Sequence, residues 1–140
     1  MKRRELLVAV PAILLSACAA DPKQALLDTN GESQLKLRQI QTRYFDIADK
    51  KKTLEAVLAT LQDLGFVIDK TSFGVGSVTA SKYSGYVIRM TVNVIPKGKE
   101  QMTVRASGQY GVQAITDPIL YQSFFDALSK SLFLQAHAEE

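Results

Sequence analysis

The spacing of hydrophobic and polar residues changes several times along this chain, and each change marks an element. Leu6 to Leu15 is an apolar run of ten residues. From Ala19 to about Gln34 the period is lost, with Pro22, Asn30, Gly31 and Ser33 as interruptions. Residues 18–34 therefore read as a flexible tether, with an r.m.s. reach of about 20–24 Å. Order resumes at Leu35. Lys36–Phe45 predicts a strand, with Ile40, Thr42 and Tyr44 on one face and Gln39, Gln41 and Arg43 on the other. Leu54, Val57, Leu58, Leu61 and Leu64 then recur at helical spacing. Asp46 or Asp49 is placed to cap that helix and Gly65 to end it, which predicts a helix over about Lys50–Leu64.

The next signals have period two. Phe66–Lys70 and Ser77–Tyr83 read as strands joined by the Gly74-Val75-Gly76 turn. Tyr86–Ile95 carries Tyr86, Ile88, Met90, Val92 and Val94 on one side; Gln101–Gln109 carries Met102, Val104 and Ala106. Both sets are even-numbered, and a one-residue slip moves every side chain to the other face. The turn at Pro96-Lys97-Gly98-Lys99 must therefore pair Val94 with Met102 or with Val104. Asp117-Pro118 opens a last helix to about His137, with Tyr121, Phe124, Phe125, Leu128 and Leu132 on one side. The order strand, helix, four strands, helix predicts an α+β domain over residues 35–140. It would have a small antiparallel sheet with both helices on one face. The other face would present Thr79, Ser81, Arg89, Thr91, Asn93, Thr103, Arg105 and Ser107.

Composition narrows the possibilities. A chain of 140 residues allows one domain at most. The net charge of +3 is concentrated at the start: without Lys2, Arg3, Arg4 and Glu5, 14 basic side chains face 13 acidic ones. That balance lacks the basic footprint of a nucleic-acid binder. The apolar run Leu6–Leu15 is too short to span a bilayer, but behind Lys2-Arg3-Arg4 it has the form of a secretory signal. Lys2-Arg3-Arg4-Glu5-Leu6-Leu7 also faintly resembles a twin-arginine export signal, and paired basic residues are ordinary in general secretion signals too.

Leu15-Ser16-Ala17-Cys18 resembles the lipobox of bacterial lipoproteins: a branched apolar residue and two small ones before a cysteine. The resemblance implies cleavage between Ala17 and Cys18, removal of residues 1–17, and acylation of Cys18 at its thiol and its new amine. Cys18 is the only cysteine, so no intramolecular disulfide can form. Ala19 and Ala20 follow where Asp would retain such a protein in the inner membrane. The implied destination is therefore the outer membrane, with the domain facing the periplasm.

Four blocks carry a second resemblance: Arg38-Gln-Ile-Gln-Thr-Arg-Tyr-Phe-Asp46, Leu61-Gln-Asp-Leu-Gly-Phe-Val-Ile-Asp69, Gly76-Ser-Val-Thr-Ala-Ser-Lys82, and Asp117 to Leu134 with its Tyr121, Phe124 and Phe125. Together they look like a family of Gram-negative outer-membrane lipoproteins of uncharacterised function. The Leu-Gly-Phe core is more distantly similar to helix-grip domains, such as those of the C lipoprotein of the β-barrel assembly machinery. That similarity implies a fold and does not supply a function.

Candidate chemistry is sparse. His137 is the only histidine, too little for a His-based triad or a His-rich metal site. Gly74-Val-Gly-Ser-Val-Thr79 lies between two predicted strands, whereas a dinucleotide fingerprint must open a helix. Asp63 and Asp69 flank a helix end and a strand and form no evident catalytic pair. Lys50-Lys51-Lys52 is either a solvated run or a contact for anionic headgroups. No enzyme, cofactor, metal or nucleic-acid partner is therefore expected. Two functions stay open. One is an interaction module for an envelope protein or secretion assembly, using Arg89, Thr91, Asn93, Thr103, Arg105 and Ser107. The other is a carrier of a small hydrophobic ligand or lipid in a groove lined by Tyr86, Met90, Phe124 and Phe125, which needs a cavity of at least about 300 Å³.

Overall fold

The computed structural model describes residues 22–138, with side chains from 31 to 134. The signal segment 1–17, the Ala17–Cys18 cleavage site and the side chain of His137 lie outside the described residues. The fold is α+β: α1 (Pro22–Gln41), β1 (Thr42–Phe45), α2 (Lys50–Asp63), β2 (Val67–Ser72), β3 (Ser77–Tyr83), β4 (Val87–Lys97), β5 (Gln101–Tyr110), β6 (Gln113–Ala114) and α3 (Pro118–Ala138). The strands form one antiparallel sheet in the order β1-β5-β4-β3-β2, with β6 also on β5.

Two expectations about the first third fail together. The tether expected over 18–34 is helical from Pro22, and the strand expected over Lys36–Phe45 is helical through Gln41. Period-two alternation there competes with a helical spacing of Leu37, Ile40 and Gln41. Leu37 and Ile40 pack against the core and Gln41 is buried, so tertiary burial selects the helix. Glu32 and Lys36, one turn apart, add an exposed ion pair at 2.9 Å, worth at most about 0.5 kcal/mol. Only Thr42–Phe45 remains a strand. The two-residue β6 is too short to leave a periodic signal.

The rest follows local chemistry. Asp49 caps α2 by accepting from the Lys52 amide at 3.1 Å. At the other end, Phe66 N–H donates to Leu61 O and Gly65 N–H to Gln62 O. These are the two bonds of a Schellman motif, which satisfies carbonyls the helix leaves open. Asp117 caps α3, its carboxylate accepting from Ile119 N–H at 3.0 Å. In the β4–β5 hairpin Val94 pairs with Val104, one of the two registers that keep the even-numbered residues on a common face.

That face is the core. Val78, Ala80, Met90, Val92, Val94, Met102, Val104 and Ala106 meet Leu54, Val57 and Leu61 of α2 and Tyr121, Phe124, Phe125 and Leu128 of α3. Burying a side chain of Val to Phe size contributes about 1.5–3 kcal/mol, so this layer dominates stability. Arg43 closes one side: its guanidinium lies 5.0 Å over the Phe125 ring and 3.2 Å from Asp126.

Candidate functional site

Both faces of the sheet were candidates, and the structure treats them differently. Among the described residues the core forms on the inward face, against α2 and α3. On the outward face the β4–β5 register sets Asn93 opposite Arg105 and Thr91 opposite Ser107, with Arg89 and Thr103 on the same side. Arg105 Nε reaches Thr42 Oγ1 at 3.4 Å, and Ser107 Oγ reaches the Thr91 carbonyl at 3.4 Å. Among the described residues neither Arg89 nor Arg105 belongs to an ion pair.

The inward face is recessed at one end. Where α2 stops and α3 starts, a groove of about 780 Å³ opens over the sheet. Leu64 and Phe66 form one wall, and Ile119, Leu120 and Ser123 the other. Its base is made by Lys82, Ile88 and Met90, with Tyr86 and Tyr110 beside them. Met90 is fully buried, whereas Tyr86 and Tyr110 are about half exposed. The two tyrosine rings meet edge to face, centroids 4.7 Å apart. Lys82 Nζ donates to Leu64 O at 2.8 Å and lies 5.7 Å from the Phe66 ring centroid. The groove is thus mostly apolar, with an ammonium group beside an aromatic wall.

Of the four side chains expected to line a groove, Tyr86 and Met90 do so. Phe124 and Phe125 do not: they are buried within the core and stack edge to face at 5.2 Å. Position on α3 explains the difference, because its groove wall is Ile119, Leu120 and Ser123. Lys82, Ile88 and Tyr110 were missed although parity was available to find them. They are even-numbered like Met90, and so point inward.

Tyr121 holds the groove's upper wall in place. Its hydroxyl donates to Ile115 O at 2.5 Å and accepts from Gly108 N–H and Gln41 Nε2, both at 3.1 Å. Gly108 lies on the outer edge of β5, between the stretches paired to β1 and β6. Tyr121 and Ile115 N–H fill that gap in the ladder. A β-carbon at Gly108 would sit 2.9 Å from Leu120 Cδ2, so the leucine side chain would have to turn aside. Tyr121→Phe strands buried polar groups that each cost about 1–3 kcal/mol. The expected loss is about 2–4 kcal/mol in urea unfolding, with faster amide exchange at Gly108 and Ile115.

Among the described residues the lining includes no histidine or cysteine. Its acid, Asp117, is engaged as the α3 cap. Asp63 and Asp69 do not line the groove; Asp69 lies at a bulge of β2 and accepts from Ser81 Oγ at 2.5 Å. Gly74-Val75-Gly76 is a hairpin turn. Among the described residues no group of three or more His, Cys, Asp or Glu is placed to hold a metal ion. No helix among them is long and apolar enough to cross a membrane. Compared with protein-family models the chain matches none, and no curated protein matches it.

Proposed function

We propose that this chain is a bacterial lipoprotein, held at the inner leaflet of the outer membrane by acyl groups on Cys18. Its domain acts without catalysis, taking a hydrophobic ligand of acyl-chain type in the groove. The observation that carries this reading is the groove itself. Its volume of about 780 Å³ falls within the range of small-molecule pockets, roughly 300–1,000 Å³. Lys82 at its base suits an amphiphile with an anionic head, and the surrounding residues suit its tail.

Docking of an envelope protein or secretion-assembly component on the outward face is the second reading. It is favoured by the two arginines left without carboxylate partners, because guanidinium forks match carboxylates and phosphates. One experiment separates the two. The full-length protein is reconstituted in vesicles with a photoactivatable fatty acid, irradiated, and mapped by mass spectrometry. Labelling should concentrate on peptides holding Ile88, Met90 and Leu120. It should fall about tenfold in Ile88→Trp/Leu120→Trp, which fills the groove, and stay unchanged in Arg89→Glu/Arg105→Glu. Labelling spread evenly over the surface removes the groove. Loss of co-purifying envelope proteins only in the arginine variant moves the site to the sheet.

A further inference from the structure

The end of the sheet opposite the groove carries a separate device. We propose that the β2–β3 hairpin tip and the lysines around it form a second, peripheral contact with the membrane, whose partner is an anionic bilayer surface. The inference does not depend on the groove.

The tip is Phe73-Gly74-Val75-Gly76, with Phe73 47% and Val75 74% exposed. Two large apolar side chains on a turn gain nothing in water, and exposed apolar groups set among charges mark surfaces that leave water on binding. The charges are in place. Lys50 Nζ donates to Gly74 O at 3.1 Å, which fixes one ammonium against the tip itself. Lys50, Lys51, Leu54 and Phe73 border a hollow of about 290 Å³. Lys52 is exposed in the same turn of α2. The strands being antiparallel, the β4–β5 turn lies at this end too, and it brings Lys97 and Lys99.

Among the described residues the acids at this end are Asp46, Asp49, Glu55 and Glu100, four against five lysines. Asp49 caps α2 and Asp46 accepts from Gln101 Nε2 at 2.6 Å, so both carboxylates are held by neutral donors and keep their charge. Glu55, one turn further along α2, lies 3.9 Å from Lys51 in an exposed pair. An apolar point inside a ring of cations complements a surface of anionic headgroups over acyl chains, where basic side chains gain from the surface potential. A protein partner would need a shaped acidic cup, whereas a bilayer needs only the apolar tip and net positive charge. The topology adds an orientation. With the tip seated, the groove at the far end faces away from the bilayer.

The chain contains no tryptophan, so single reporters are clean. Phe73→Trp, and as a control Val112→Trp at the 98% exposed β5–β6 turn, are made in the full-length protein. Both are reconstituted in vesicles of phosphatidylcholine, alone or mixed with phosphatidylglycerol; vesicle flotation reports the N-terminal anchor separately. In the anionic vesicles the emission of the Phe73→Trp protein should shift to shorter wavelength and be quenched by acyl-brominated lipid. The Val112→Trp protein should show neither effect. The shift should vanish at about 1 M salt, where the Debye length is about 3 Å, and in the background Lys51→Glu/Lys52→Glu. An indole at the hairpin tip as open to an aqueous quencher as the control indole, or one buried only after envelope proteins are added, overturns the proposal.

Discussion

Replacing Gly76 by alanine should destabilise the domain by about 2–5 kcal/mol, the sum of a backbone and a packing penalty. Gly76 ends the β2–β3 turn with φ near +82°, a conformation that costs a residue with a β-carbon roughly 1–2 kcal/mol. The larger penalty is steric. A β-carbon there would lie 2.5 Å from Val94 O and 2.6 Å from Lys50 Cε. The lysine can move, but the carbonyl cannot. Gly76 N–H is bonded to Ser72 O at 2.7 Å, and Gly76 O accepts from Val94 N–H at 2.8 Å. Relief would require β3 to separate from β4 at its first residues, and forced overpacking typically costs about 1–3 kcal/mol. Urea unfolding should show a clear fall in midpoint, and Tm should drop on the order of 10 °C. Gly74→Ala, two residues away with no atom within 4 Å of its β-carbon, should stay within about 0.5 kcal/mol of wild type. Equal effects at both positions would show that the clash at Gly76 relaxes freely.

Cys18→Ser should abolish acylation and leave the protein as an uncleaved precursor. Each buried methylene contributes about 0.8 kcal/mol, so two or more chains hold firmly where one is marginal. Without them the apolar run Leu6–Leu15 of the retained signal is the remaining N-terminal attachment. Serine cannot accept a thioether-linked lipid, so the precursor should also retain residues 1–17. Fractionation, flotation and intact-mass measurement check this together. A wild-type protein whose mature mass lacks acyl groups would refute the anchor directly, while leaving the folded domain as described.

Much of the fold was legible because its signals are local. Asp49, Gly65 and Asp117-Pro118 bound their helices through caps that need only neighbouring residues. The β4–β5 register was narrowed to two choices by parity alone, since the even-numbered residues of both strands must face one core. The same parity placed Arg89, Thr91, Asn93, Thr103, Arg105 and Ser107 together on the outward face. It also pointed to half of the groove, through Tyr86 and Met90.

What was not legible depends on contacts far apart in the chain. Gln41 reads as part of an alternating strand until Tyr121, eighty residues later, supplies the hydroxyl that buries it in a helix. Phe124 and Phe125 share a helical stripe with Tyr121, and no periodicity says which part of that stripe faces a void and which fills the core. By itself the sequence determined the α+β class, the caps and the strand parity, because each is written within a few residues, and the lipobox resemblance before Cys18 on which the proposed anchor rests is equally local. Only the tertiary structure decided that α1 is a helix, that the sheet leaves a groove at one end, and that a lysine-ringed apolar tip stands at the other. Those features arise where elements distant in sequence stop covering one another.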